Sequence, residues 1–206
     1  MRDREQGYLE EIQALRERTG MLEEELRSLR ELVNLDDLTG LHNIRYLGKR
    51  LEEEIRGFQE KGREFSLVMI DIDNLKAVND SLGHLAGSSV IRAVARCLKT
   101  TLRAYDVCVR YGGDEFVILL PETEEDKAAG VAWRIVHSIA GQAFVYDRHP
   151  LSITVSAGVA GISRCPGGAG EVFRKADEFL YQSKRQGRNR VSAGMTPALH
   201  ARVGGN

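Results

Sequence analysis

Two pairs of carboxylates stand out in this chain. Asp71 and Asp73 open the run Asp71-Ile72-Asp73-Asn74-Leu75-Lys76-Ala77-Val78-Asn79-Asp80-Ser81-Leu82-Gly83-His84, and Asp114 and Glu115 lie in Arg110-Tyr111-Gly112-Gly113-Asp114-Glu115-Phe116. Carboxylates from one stretch, the Ile72 carbonyl and Asp114 from the other make a set of hard oxygen donors. Magnesium prefers such donors, with substrate phosphates filling the remaining positions. Lys76 adds a cation within reach of the same phosphates. Gly112 and Gly113 remove side-chain bulk, so backbone N–H groups can approach a phosphate closely. The chemistry suggested is that of a divalent metal and a nucleoside triphosphate.

Positioning these groups requires particular elements. Phe65 to Ile70 is a short apolar run that reads as a buried strand, which sets Asp71 and Asp73 at its C-terminal end, where open α/β sheets place ligands. Val107 to Val109 and Phe116 to Leu120, closed by Pro121, flank the glycine pair and predict a tight β-hairpin with glycine at positive φ. Apolar spacing predicts helices over Ile44 to Lys61, Gly87 to Thr101, Glu124 to Ala140 and Val172 to Gln186. Leu151 to Ile162 reads as a strand, with Phe144 to Tyr146 as a shorter partner, and Ser163 to Gly170 as a loop. A helix beginning near Gly87 makes Gly87 or Ser88 a candidate cap.

The two acidic stretches resemble the signature motifs of the GGDEF family, the bacterial diguanylate cyclases. Asp37-Leu38-Thr39-Gly40-Leu41-His42-Asn43 is similar to the family's opening Asp-x-Leu-Thr-Gly-Leu-x-Asn segment. Thr154 to Ala160 resembles its late strand. Ala176-Asp177, Leu180-Tyr181, Lys184 and Gly187-Arg188-Asn189-Arg190 resemble its last helix and terminal loop. The resemblance spans residues 34–191. It implies a single α/β domain of the nucleotidyl-cyclase type, a central sheet flanked by helices. The implied reaction condenses two GTP molecules into cyclic di-GMP, releasing two pyrophosphates, with two domains facing each other. By the same resemblance Asp71, the Ile72 carbonyl and Asp114 hold magnesium, with manganese as the alternative ion. Asp114, Glu115 and Lys76 are implied to be catalytic, with Asp114 the proton acceptor. Asn79, His84, Ser88, Gly112, Gly113, Lys184 and Arg188 are implied to bind substrate. Lys184 and Arg188, four apart, are expected on one face of the last helix.

Two features go further. Arg103-Ala104-Tyr105-Asp106 is similar to the family's Arg-x-x-Asp product-inhibition site, with Arg134 as a third member; an arginine clamps phosphate or a guanine edge in two-pronged fashion. The family's Gly-His-x-x-Gly-Asp pattern reads Gly83-His84-Leu85-Ala86-Gly87-Ser88 here. A carboxylate only accepts and so complements guanine's donors, whereas a serine hydroxyl donates or accepts. The same serine marks the hybrid promiscuous branch of the family, so ATP is expected beside GTP, giving cyclic AMP-GMP as well. The alternative from another class is an inactive domain serving as a dimeric cyclic-dinucleotide effector.

The chain's 206 residues suit one α/β core and an appendage. Its net charge of −1 gives no electrostatic footprint for a nucleic-acid polymer. Cys97, Cys108 and Cys165 lack metal-ligand spacing, and no apolar run reaches membrane-spanning length, so a bacterial cytoplasmic setting is expected. In residues 1–35, Ile12, Thr19, Leu26 and Val33 at heptad position a put Tyr8, Leu15, Leu22 and Leu29 at d. Glu11 with Arg16, Arg18 with Glu23 and Glu25 with Arg30 then form opposite-charge g-to-e pairs, the pattern of a parallel homodimeric coiled-coil stalk. The catalytic domain is expected over residues 36–191, followed by a disordered tail at 192–206.

Overall fold

The structure is a computed structural model, and it describes residues 13, 15–22 and 34–194. The chain divides into two compact units, Met1–Leu35 and Asp36–Asn206. In the first, residues 15–22 are helical, and Leu15 and Leu22 are exposed. Thr19, an a position, is on the same helix with its Oγ1 donating to the Leu15 carbonyl at 2.8 Å; the other heptad positions and all but Arg16 and Arg18 of the flanking charges lie outside the described residues.

The second unit is built on strand β2 (Phe65–Ile72), buried along its whole length. Alternation splits it between two layers. Val68, Ile70 and Ile72 join one core cluster, and Phe65, Leu67 and Met69 join the other. The remaining strands are β1 (His42–Asn43), β3 (Val107–Arg110), β4 (Glu115–Pro121), β5 (Phe144–Tyr146), β6 (His149–Leu151), β7 (Val155–Gly161) and β8 (Val191–Ala193). Six of them form a mixed sheet in the order β1-β3-β4-β2-β7-β8, with β2 antiparallel to both neighbours. The helices are α1 (Ile44–Lys61), α2 (Leu75–Leu82), α3 (His84–Thr101), α4 (Glu125–Ala140) and α5 (Ala169–Arg185). Val90, Val94, Ile135 and Ile139 of α3 and α4 cover the first face; Leu47 of α1 with Val172, Ala176 and Leu180 of α5 cover the second.

Local chemistry explains the boundaries. Asn43 caps α1, its Oδ1 accepting from the Arg45 and Tyr46 amides at 3.1 and 3.3 Å, and Gly62 closes the helix with φ 64°. Helix α5 lies unusually close to β7. A Cβ on Gly158 would stand 2.1 Å from the Ala176 carbonyl oxygen and 2.2 Å from the Leu180 nitrogen. Only glycine permits that seating.

Several expectations need correction. Helix α3 starts at His84, ahead of Gly87, and α5 runs from Ala169 to Arg185. The predicted strand from Leu151 divides: His149–Leu151 pairs with Phe144–Tyr146 in a separate hairpin, and β7 begins at Val155. Pro150 has no N–H to give to a central ladder, which suits that two-stranded edge. Ser163 and Arg164 belong to a 3-10 turn rather than a loop. Residues 192 and 193, expected as the start of the tail, continue from Val191 as β8, parallel to β7. Residues 195–206 lie outside the described residues.

Candidate active site

Asp71 is the last residue but one of β2, directly opposite Glu115 on β4 and beside Ser156 on β7. Strand alternation turns its side chain toward the α5 face, where Lys184 Nζ stands 2.8 Å from Asp71 Oδ2. The Ile72 amide donates to the Asp114 carbonyl at 3.2 Å, which brings the hairpin carboxylates to the strand end. Burial pushes the Asp71 carboxyl above the usual aspartate value; Lys184 opposes the rise, while the charges of Asp114 and Glu115 add to it. This is a corner with more negative charge than its lysine neutralises. Among the described residues no three His, Cys, Asp or Glu side chains close into a metal-holding group. The donor chemistry, hard carboxylate oxygens crowded against each other, fits a divalent cation that takes its other ligands from phosphate.

The hairpin departs from expectation. Tyr111 to Asp114 form its loop, and neither Gly112 nor Gly113 has a positive φ. Their value is space. A Cβ on Gly112 would stand 3.0 Å from Glu115 Oε2, and Gly113 lies open on the pocket rim. The loop is held by Arg110, whose role the sequence did not reveal. Its Nε donates to the Gly112 carbonyl at 3.1 Å and its Nη2 to the Gly113 carbonyl at 2.9 Å, while Nη1 pairs with Asp36 at 3.1 Å. Asp36 also accepts from the Thr39 amide and hydroxyl, at 2.9 and 2.7 Å. Burial alone would raise the Asp36 carboxyl, but these bonds and the Arg110 charge hold it below its ordinary value. Asp36, one residue before the quoted Asp37, is therefore the first aspartate of the opening segment. The Asp-x-x-Thr turn pattern was the available signal.

Beside this corner opens a cavity of about 270 Å³, lined by Leu75, Lys76, Asn79, His84, Gly87, Ser88, Ile91, Arg110, Gly113 and Asp114. It gathers residues from α2, α3 and the hairpin, and it brings together most of the predicted substrate residues. Lys76, Asn79 and Ser88 have no side-chain hydrogen bond or ion pair among the described residues. Ser88 is not a cap, because α3 starts at His84 and Gly83 occupies the cap position.

Asp73 belongs elsewhere. Its carboxylate accepts from Thr154 Oγ1 and Ser156 Oγ, both at 2.7 Å, and from the Asn189 amide at 3.1 Å. It ties the end of β2 to β7 and to the loop after α5. Arg188 lies in that loop with φ 62°, past the last helical residue Arg185, so it does not share a helix face with Lys184. Gly187, at φ 114°, turns the chain out of the helix.

A family model described as "Diguanylate cyclase, GGDEF domain" matches residues 33–190. This chain belongs to the GGDEF family. It is 37% identical over 196 residues to diguanylate cyclase DgcP of Pseudomonas aeruginosa, covering 92% of this chain and 29% of that protein. It is 38% identical over 163 residues to the response regulator PleD of Caulobacter vibrioides, covering 78% and 36%. The chain thus spans about a third of the length of these relatives. Among solved structures, the coiled coil and GGDEF domain of DgcB from Caulobacter crescentus, in complex with c-di-GMP, matches with a TM-score of 0.79 and 32% identity over 86% of this chain and 94% of that one. Diguanylate cyclase SiaD of Pseudomonas aeruginosa, solved with its activator SiaC, matches with a TM-score of 0.79 and 36% identity over 90% and 72%.

In this GGDEF domain the candidate inhibitory residues gather at the end of α3. The Arg103 amide donates to Asp106 Oδ2 at 2.9 Å, and the Arg103 guanidinium donates to Tyr105 Oη at 2.7 Å and lies over its ring. Arg134 on α4 reaches the Thr101 carbonyl at 3.4 Å. The Arg103 side chain is therefore not tied to Asp106. Both arginines present exposed guanidinium edges on one side of the domain. Among the described residues no helix is long and apolar enough to cross a membrane.

Proposed function

We propose that this domain condenses two GTP molecules into cyclic di-GMP, and that it also admits ATP to give cyclic AMP-GMP. The observation that carries the reading is the pocket whose partnerless polar groups adjoin the under-neutralised corner of Asp71 and Asp114. Each 3′-oxygen attacks the α-phosphorus of the other nucleotide; the bond to the β-phosphate bridging oxygen breaks and pyrophosphate leaves. Asp114 accepts the hydroxyl proton, and Glu115 sets the electrostatics beside it. Lys76 offsets charge that grows on the phosphoryl oxygens. Gly112 leaves room for the phosphates beside the Gly113 amide, which holds them together with Lys184 and Arg188. Magnesium or manganese bound by Asp71, Asp114 and the Ile72 carbonyl would polarise the phosphoryl group and acidify the hydroxyl.

Asn79, His84 and Ser88 face the base. With no bond of its own to satisfy, the Ser88 hydroxyl turns to donate or accept, so adenine and guanine both find a partner. Arg103, Asp106 and Arg134 bind the cyclic product as an inhibitor. Two domains must meet for the reaction, and exposed Leu15 and Leu22 at adjacent d positions support pairing through residues 1–35, which raises effective concentration. Work in a bacterial cytoplasm suits the buried free thiols, Cys108 being pushed up to about 12 by burial and so inert.

The test is incubation with equimolar ATP and GTP plus magnesium, with products resolved by mass. Cyclic di-GMP together with cyclic AMP-GMP is the expected result. Cyclic di-GMP alone overturns the relaxed base choice, and no cyclic dinucleotide at all overturns the enzyme assignment in favour of an effector.

A further inference from the structure

Gly87 has no conformational reason to be glycine. It is buried at the close of the first turn of α3, its φ is not positive, and the cap position belongs to Gly83. Glycine in a helix interior costs stability relative to alanine, so something must exclude the methyl group. The excluder is Asn79. A Cβ on Gly87 would stand 2.0 Å from Asn79 Oδ1, 2.9 Å from its Cγ and 3.3 Å from its Nδ2. The whole carboxamide therefore lies against the bare Cα of Gly87. It reaches there from α2, a separate helix turned back onto α3 at Gly83, whose amide donates to the Asn79 carbonyl at 2.9 Å. No hydrogen bond restrains the Asn79 side chain among the described residues. Contact with Gly87 is what defines its place in the pocket wall, next to Ser88.

We infer that Gly87 is a positioning residue for base recognition: it seats the Asn79 carboxamide, and any side chain at 87 evicts that group from the pocket. The inference rests on the functional reading above and adds a residue that touches no substrate itself. It separates the two adjacent residues Gly87 and Ser88. Ser88 governs which base is accepted, whereas Gly87 governs whether Asn79 is in position to meet any base.

The experiment measures binding of α,β-methylene GTP, whose α–β bridge cannot be cleaved, with magnesium, to the full chain and to Gly87→Ala, Asn79→Ala and the double variant. Gly87→Ala is expected to weaken binding by about tenfold to a hundredfold, the loss of one two-pronged base contact. Asn79→Ala should weaken it similarly, and the double variant should bind no worse than Asn79→Ala alone, because the truncated residue leaves room for the new methyl. With GTP the loss should fall on KM rather than kcat. Melting gives an independent readout. Gly87→Ala should raise Tm less with Asn79 present, where the carboxamide must be displaced, than with Ala at 79, where only the better helix propensity remains. Wild-type-like binding by Gly87→Ala, or full additivity of the two substitutions, overturns the inference. Failure of the wild type to bind the analogue overturns the functional reading instead, and the difference between the two Tm changes then still decides whether Gly87 seats Asn79.

Discussion

Asp71 and Asp73 are two residues apart on one strand end, equally buried at 7% and 6% exposure, and they live in opposite electrostatic worlds. Asp73 has its oxygens occupied by two hydroxyls from one segment, Thr154 and Ser156, and an amide from another, Asn189. Asp71 has one lysine and two neighbouring carboxylates. A buried carboxylate whose acceptors are all used is a fastening. One whose charge is resisted by its surroundings is a candidate for function rather than a fastening. Residue type, burial and spacing cannot separate these cases; only the census of partners does.

The largest expected effect breaks the functional side of this contrast. Asp114→Ala should lower the rate of cyclic dinucleotide formation by about a hundredfold or more, with Tm near wild type. Turnover within a few-fold of wild type removes Asp114 from the mechanism. The direct comparison follows. Asp73→Ala strands two hydroxyls and an amide and should cost about 3 kcal/mol in denaturant unfolding. Asp71→Asn, measured in chelator, should keep or raise stability at neutral pH. The sign follows from the raised carboxyl of Asp71. Its folded state holds the proton more tightly than the unfolded chain does, so stability falls as pH rises above the ordinary value of 3.8, and a neutral amide avoids that loss. Equal destabilisation by the two variants erases the distinction.

Smaller effects sharpen the pocket. Ser88→Asp installs a fixed acceptor and should shift the GTP-over-ATP preference by about tenfold to a hundredfold, read as loss of cyclic AMP-GMP from mixed substrate. An unchanged product ratio takes base choice away from this position. Arg103→Ala should raise the cyclic di-GMP concentration needed for half-inhibition by about tenfold, the worth of one charged hydrogen bond, with the uninhibited rate unchanged. Equal inhibition of variant and wild type moves the regulatory site elsewhere.

Much of this was legible in order along the chain. The β2 run, the hairpin strands and the bounds of α1 follow from local periodicity, since each element's apolar pattern is set by its own residues. Helix α2 escaped because Leu75–Leu82 has only eight residues and a polar stretch at Asn79-Asp80-Ser81, too little for a period to declare itself. The roles of Asp36, Arg110 and Asp73 escaped for another reason. Beside the local turn bonds of Asp36 and Arg110, the bonds that join Asp36 to Arg110 and Asp73 to its partners span 74 to 116 positions, and a side-chain hydrogen bond across that distance leaves no local pattern. The Gly112-Gly113 pair was expected both to supply positive φ and to leave room, and only the first fails, because a glycine needed for room and one needed for φ look alike in a sequence. Family resemblance supplied Lys184 and Arg188, but the helical spacing used to join them stops at Arg185.

The contact at Gly158 has a kinetic consequence for the corner it supports. Because the α5 backbone rests on the strand itself, the helix has no soft layer of side chains on which to rock at that point. The Lys184–Asp71 pair must then open by rotation of the lysine tail, which is a third exposed, rather than by withdrawal of the helix. Side-chain rotation of that kind takes about picoseconds to nanoseconds, far less than a collective helix shift. Any cation drawn to Asp71 would therefore meet a barrier no larger than the turning of one side chain, while the strand and helix beneath stay in place.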